Sequence, residues 1–155
     1  MEELAQRVRE AVADLPVAVL VIFGSRARGR ARPDSDLDVA VLPEALDDLD
    51  RRRLQVALIS ALGDLVPGER VDVVFLDEAP ELLRQRVMEH GQVVVCRDPA
   101  RWRELRVRTM REHADREPIR RLLREAQHKR LTEGRPSGRS GRALRSLERV
   151  GKLPG

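Results

Sequence analysis

The chain has 155 residues and a formal net charge of +4, with 30 lysines and arginines against 26 aspartates and glutamates. A single cysteine, Cys96, excludes a disulfide framework and a multi-cysteine metal site. The N-terminus is acidic where a signal peptide would be basic, and no apolar run approaches membrane-spanning length. These features predict a soluble, cytoplasmic domain that has a substantial core and makes no membrane contact.

Hydrophobic periodicity predicts alternating helices and strands. Apolar residues at helical spacing indicate a first helix over residues 2–15, which Pro16 ends. Apolar runs then predict four strands, and amphipathic segments between them predict two more helices. The predicted strands are Val17–Phe23, Asp36–Leu42, Arg70–Leu76 and Gln92–Cys96, and the helices run from Leu46 to Gly63 and from Glu81 to Glu89. This order favours an α/β (α+β) fold with a small mixed β-sheet, helices on one face and a site on the open face.

The chain beyond Asp98 is predicted to be helical. Asp98 is suited to cap a helix with Pro99 in its first turn, and Pro118 is suited to begin a second helix. The apolar stripes of these helices are expected to pack on the body, and any part left uncovered could receive a partner helix.

Composition and charge divide the chain. Residues 1–96 carry 12 basic and 18 acidic side chains, whereas residues 97–155 carry 18 basic and 8 acidic ones. A basic C-terminal half favours an anionic partner, with a solvated arginine-rich surface as the equal alternative. The predicted organisation has three parts. They are a core over residues 1–98, C-terminal helices packed on it over residues 99–133, and a basic, disordered tail over residues 134–155.

The most informative stretch joins the first two strands. The first strand ends in Gly24-Ser25, an arginine-rich loop follows, and the second strand opens with Asp36-Leu37-Asp38. Strands alternate their side chains, so Asp36 and Asp38 are expected on one face, about 7 Å apart. Such carboxylates repel each other unless a cation lies between them, and Mg²⁺ is the hard cation that also binds phosphates. The pattern predicts a site for Mg²⁺ and a triphosphate; a solvated acidic loop is the alternative.

Asp72 interrupts a third strand that is otherwise apolar and β-branched. Burying a bare carboxylate costs several kcal/mol unless a cation or a hydrogen-bond donor compensates. Asp72 is therefore a candidate for the same cation site. The alternative is an edge-strand residue that faces water, as Arg70 is expected to do.

Gly24-Ser25, ten intervening residues and Asp36-x-Asp38 resemble the signature of the DNA polymerase β-like nucleotidyltransferase superfamily. Over roughly residues 1–133 the chain is similar to the minimal nucleotidyltransferases, the MntA-like antitoxins that accompany HEPN-domain toxins. The resemblance implies a polymerase β-like fold in which Asp72 supplies the third carboxylate of a metal triad.

The resemblance also assigns roles to the residues of the site. Asp36, Asp38 and Asp72 would be catalytic and would hold two Mg²⁺ ions, and Asp72 would help to deprotonate the incoming hydroxyl. The nucleotide would be bound by Gly24, Ser25, Arg26 and Arg30. The sequence does not choose between these two arginines and Arg28 or Arg32.

The resemblance further implies a reaction and a partner. MntA-like proteins transfer AMP from ATP to a tyrosine of the cognate HEPN RNase and so silence it. This chain contains no tyrosine, which excludes tyrosine self-modification. The expected function is therefore that of a Mg²⁺-dependent protein adenylyltransferase acting as the antitoxin of a toxin–antitoxin system.

Three alternatives remain open at this point. A non-catalytic antitoxin could neutralise its toxin by binding alone. A small-molecule nucleotidyltransferase, of the aminoglycoside-modifying kind, would share the same core chemistry. The basic C-terminal half could contact nucleic acid, but its arginines lack interleaved aromatic residues and a DNA-reading motif, so this alternative is the less favoured one.

Overall fold

The computed structural model describes residues 1–32 and 35–133. The strands are β1 (Val17–Phe23), β2 (Leu37–Pro43), β3 (Val71–Phe75) and β4 (Gln92–Cys96). The helices are α1 (Glu2–Ala11), α2 (Gly24–Ala27), α3 (Asp48–Gly63), α4 (Glu81–His90) and α5 (Pro99–Thr132). None of the helices in this part of the chain combines the length and the apolar character needed to cross a bilayer. The tail predicted over residues 134–155 lies outside the described residues.

The strands form a mixed sheet in the order β3-β2-β1-β4. β1 pairs antiparallel with both β2 and β4, and β2 pairs parallel with β3. The interior strands β1 and β2 are buried almost throughout, as expected for continuous apolar, β-branched sequences. The predicted small mixed sheet is confirmed, and both β1 and β4 begin and end at the predicted residues.

Helices cover both faces of this sheet. On one face, α1 and α3 pack against β1 and β2. On the other face, α4 and the part of α5 before Ala114 pack against the remaining side chains of the same strands. Representative buried residues of the two clusters are Val8, Leu20, Val39 and Leu58, and Val21, Ala40, Val87 and Leu105. The prediction of helices on one face only is wrong, because strands that are apolar on both sides need a cover on both sides.

α5 is a continuous helix of 34 residues. Pro118, predicted to begin a second helix, lies inside it, so the expected pair of C-terminal helices is a single one. An internal proline costs about 3 kcal/mol of helix stability. Strong helix formers surround it, and arginine, leucine and glutamate continue the helix through this position.

The chain divides into a compact unit over Met1–Ala114 and a second unit that begins at Asp115. In the described part of the second unit, Glu117 forms ion pairs with Arg120 and Arg124. Four apolar side chains of this part are 60% or more exposed: Ile119, Leu122, Leu123 and Leu131.

A buried polar cluster joins α4 to α5 within the first unit. Arg84 of α4 is only 6% exposed; its Nη1 donates to Thr109 Oγ1 at 3.2 Å, and its Nη2 is paired with Glu112. Glu81 is 3% exposed, and its Oε1 lies 2.6 Å from Nδ1 of His113. A buried charge is tolerated when it is paired, so these contacts fix α5 against α4.

Replacing Arg84 by methionine should lower the free energy of unfolding by about 2 kcal/mol, because Glu112 and Thr109 lose their shared donor. Urea denaturation followed by circular dichroism measures the difference. Arg86 is exposed on the same helix, and Arg86→Met should change the free energy of unfolding by less than about 0.5 kcal/mol. Equal losses in the two variants would show that the buried cluster does not hold these helices together.

Candidate active site

The candidate site lies at the edge of the sheet where β1 ends and where β2 and β3 begin. Phe23 at the end of β1 is the register partner of Asp38, and Asp38 is the register partner of Asp72 on β3. Register partners on neighbouring strands are about 5 Å apart and direct their side chains to the same face of the sheet. The strand pairing therefore brings Asp38 and Asp72 side by side. Asp36 is exposed and lies two residues before Asp38, just ahead of β2.

Asp36, Asp38 and Asp72 form an acidic cluster, and Asp38 lies between the other two in the strand pairing and the sequence. Its partial burial, together with the negative charges of Asp72 and then Asp36, raises the pKa of its carboxyl above the ordinary value. A raised carboxyl pKa means that the ionised form is disfavoured in the folded protein. Three carboxylates that repel one another in this way are suited to binding a cation.

The donor set of the acidic cluster fits Mg²⁺, which prefers carboxylate oxygens. The raised pKa of Asp38 reflects its burial and its repulsion from Asp72 and Asp36, and a bound divalent ion would relieve that repulsion. Across residues 1–32 and 35–133, no three histidine, cysteine or carboxylate side chains converge into a formed metal site. Asp72 is engaged elsewhere, because its Oδ1 lies 3.1 Å from Nε of Arg70, a side chain that is 75% exposed. Asp72 would have to leave Arg70 to serve as a metal ligand.

Gly24 brings the main chain against the acidic cluster. It begins the one-turn helix α2 directly after β1 and has a φ of +75°, in the left-handed region that favours glycine. A Cβ at this position would lie 2.2 Å from Oδ2 of Asp38. Gly24 is predicted from the sequence to bind the nucleotide, and in the structure its missing side chain also makes room for a carboxylate. Ser25 is half-buried next to it.

Arg26 is held inward by two partners. Its Nη2 is paired with the carboxylate of Glu69 and also donates to the carbonyl of Ser35 at 3.3 Å. The side chains of Arg26 and Glu69 are 17% and 18% exposed. Glu69 was not predicted from the sequence, because its contact with Arg26 spans 43 residues and a lone glutamate after a turn gives no local signal.

The other arginines of the loop are exposed: Arg28, Arg30 and Arg32. Arg28 Nε donates to the carbonyl of Gly24 at 3.3 Å. The main-chain nitrogen of Arg30 donates to the carbonyl of Ser25 at 2.9 Å, which fixes the start of the loop. Arg26 is therefore largely buried, whereas the side chains of the other three arginines face solvent.

A glycine-serine turn that faces an acidic cluster on a mixed sheet of this topology is typical of a nucleotidyltransferase. The predicted likeness to that class is confirmed by a match over residues 6–100. The chain belongs to the Polymerase beta, Nucleotidyltransferase family.

Several solved structures with a similar fold are toxin–antitoxin complexes. One, a toxin–antitoxin with AMP-PNP, has 26% sequence identity and a TM-score of 0.57 and covers 77% of this chain and 97% of that chain. The MntA–HepT toxin–antitoxin has 24% identity and a TM-score of 0.53, with coverage of 79% and 98%. A tri-AMPylated Shewanella oneidensis HEPN toxin in complex with an MNT antitoxin also has 24% identity and a TM-score of 0.53, with coverage of 79% and 97%. The comparison with curated proteins gave no match.

Proposed function

We propose that this nucleotidyltransferase is a minimal antitoxin that transfers AMP from ATP to a hydroxyl, expected to be that of a tyrosine, on a cognate HEPN RNase toxin. The observation that carries the proposal is the placement of Asp38 beside Asp72 and against Gly24. The AMP-PNP and AMPylated-toxin complexes of similar fold support the choice of ATP and of a protein acceptor. A reaction that consumes ATP fits the cytoplasmic location predicted from the sequence.

In this reaction the hydroxyl oxygen forms a bond to the α-phosphorus of ATP, and the bond from that phosphorus to pyrophosphate breaks. The attacking and leaving oxygens must lie in line, so catalysis consists mainly of positioning and charge neutralisation. Asp36 and Asp38 would hold the Mg²⁺ that accompanies the triphosphate, and Asp72 would complete a second Mg²⁺ site. When bound, the ions would neutralise charge on the phosphoryl oxygens and the leaving pyrophosphate. Asp72 would assist removal of the proton from the hydroxyl.

The nucleotide would be held by the loop that follows β1. The main chain at Gly24 can approach the phosphates closely because no side chain intervenes, and the Ser25 hydroxyl can donate a hydrogen bond to them. Arg30 is exposed and can neutralise the triphosphate charge. Arg26, the other arginine predicted to bind the nucleotide, would reach it only after releasing Glu69.

The test is the intact mass of the protein encoded beside this chain, after incubation with the chain, ATP and Mg²⁺. We expect an AMP-sized increment with wild type and none with Asp36→Ala or Asp38→Ala. Asp14 is an exposed aspartate away from the acidic cluster, and Asp14→Ala should behave as wild type. No increment, together with neutralisation of the toxin by all four proteins, would instead identify an antitoxin that acts by binding alone.

A further inference from the structure

We propose that Arg26 is a positioning residue that fixes the acidic cluster through Glu69, and that it does not bind the triphosphate. The inference rests on the proposed nucleotidyl transfer, because it assigns a role within that site. It is carried by contacts within the protein that connect the three chain segments on which the site is built.

One guanidinium joins these three segments. Arg26 lies two residues after Gly24, on the segment that faces the carboxylate of Asp38. Ser35, whose carbonyl accepts from Arg26, immediately precedes Asp36. Glu69, its ion-pair partner, lies three residues before Asp72. A displacement of Arg26 or Glu69 therefore changes the spacing between the segments that carry the acidic cluster.

Main-chain hydrogen bonds extend this connection on both sides. The nitrogen of Leu37 donates to the carbonyl of Arg70 at 2.8 Å, which ties the start of β2 to the residue after Glu69. The nitrogen of Arg32 donates to Ser35 Oγ at 2.7 Å, which closes the loop just before Asp36. A movement at Glu69 is therefore expected to shift the start of β2 through the hydrogen bond between Leu37 and Arg70, and the start of β3 through the chain itself.

The environment of Arg26 opposes a second role as a phosphate ligand. Both members of the pair are more than four-fifths buried, so solvent screens their attraction less than that of a surface pair. If Arg26 turned toward a phosphate, the carboxylate of Glu69 would remain largely buried without its partner, which is unfavourable for a charged group. The arginines with exposed side chains on the same loop can neutralise a phosphate without that cost.

A double-mutant cycle tests the proposal through binding of a fluorescent ATP analogue, measured as a function of Mg²⁺ concentration. The four proteins are wild type, Arg26→Met, Glu69→Met and the double variant. If Arg26 positions the acidic cluster through Glu69, both single variants should raise the Mg²⁺ concentration for half-maximal binding by about 10-fold or more. The double variant should then be no worse than the more affected single variant, because both changes remove the same contact.

The AMP-transfer rate gives a second readout. Both single variants should lower kcat by roughly 10- to 100-fold with a much smaller change in KM for ATP. Arg7, an exposed arginine on α1, provides the matched control, and Arg7→Met should leave both readouts unchanged. The proposal would be overturned if Arg26→Met weakened nucleotide binding at saturating Mg²⁺ while Glu69→Met had no effect. That result would make Arg26 a triphosphate ligand.

Folding is checked by thermal denaturation of each variant. If a methionine variant does not fold, the charge-swapped chain carrying Arg26→Glu and Glu69→Arg replaces it. The swapped chain is compared with the two single variants Arg26→Glu and Glu69→Arg. If the swapped chain binds the analogue at a Mg²⁺ concentration closer to that of wild type than either single variant does, the positioning role is supported. A swapped chain that folds but shows no such recovery contradicts it. Nucleotide binding needs no acceptor protein. A wild type that binds the analogue but modifies no protein would therefore contradict the proposed function, while the double-mutant cycle could still be measured through nucleotide binding.

Discussion

Replacing Asp38 by asparagine is expected to lower the rate of AMP transfer by about 1,000-fold, the usual order for losing a charge-stabilising group at a reacting phosphate. The substitution preserves shape and removes the negative charge that lies beside Asp72 and against Gly24. Single-turnover transfer to the acceptor protein measures the change, with Asp14→Asn as the exposed control. A rate within a few-fold of wild type would remove Asp38 from the catalytic machinery.

The same variant should be more stable than wild type at neutral pH in the presence of a chelator. Burial and the neighbouring carboxylates raise the pKa of Asp38 in the folded state, so ionisation of this group is less favourable there than in the unfolded chain. Its contribution to stability therefore falls as pH rises from below the unfolded pKa, near 3.9, through the raised folded value. The advantage of Asp38→Asn over wild type in Tm should be small at pH 3 and largest near pH 7. A lower Tm for the variant at pH 7 would contradict this account.

Replacing Gly24 by alanine is expected to lower the transfer rate by about 100-fold or more. The added Cβ would lie 2.2 Å from Oδ2 of Asp38, so the carboxylate must move. A shift of about 1 Å in a catalytic group is sufficient for a loss of that size. The positive φ adds a backbone cost of roughly 1–2 kcal/mol that has nothing to do with the carboxylate.

Gly29 separates these two effects. Its φ is +65°, yet a Cβ there would meet no atom within 4 Å. Gly29→Ala should therefore lose stability to a similar degree while its transfer rate stays within a few-fold of wild type. Thermal denaturation and transfer rates of both variants make the comparison. If both glycine variants lose activity equally, backbone strain in the loop is responsible and the collision with Asp38 is not.

Much of the fold can be predicted because the strands are apolar, β-branched runs bounded by turn residues. The prediction was less accurate where a single side chain sets a boundary. α3 begins at Asp48 because Asp47 caps it, its side chain accepting from the nitrogen of Asp50 at 2.8 Å, whereas apolar spacing alone suggests Leu46. At Pro118 the tendency of proline to begin a helix was outweighed by the helix formers on either side.

The residues of the candidate site that local spacing could predict are close together in sequence, whereas Asp72 was assigned to it from its place in an apolar strand and from the family resemblance. Gly24, Ser25, Asp36 and Asp38 follow from one spacing, since a turn and the strand after it fix their separation. The position of Asp72 beside Asp38 depends on the register between β2 and β3. The hydrophobic pattern of these two strands does not determine that register. The contact of Arg26 with Glu69 depends on the same register and could not be read from local sequence.

The position of β3 in the sheet has a consequence for how long the site stays complete. Asp38 belongs to a strand with hydrogen-bonded neighbours on both sides, whereas Asp72 belongs to β3, an edge strand for which the described residues offer β2 as the single neighbour. Edge strands open to solvent at a lower free energy than interior ones, and their amide hydrogens exchange faster. Each such opening would carry Asp72 away and leave the other two carboxylates in place. We therefore expect local detachment of this five-residue strand, which needs less free energy than unfolding of the domain, to limit how long the acidic cluster stays together.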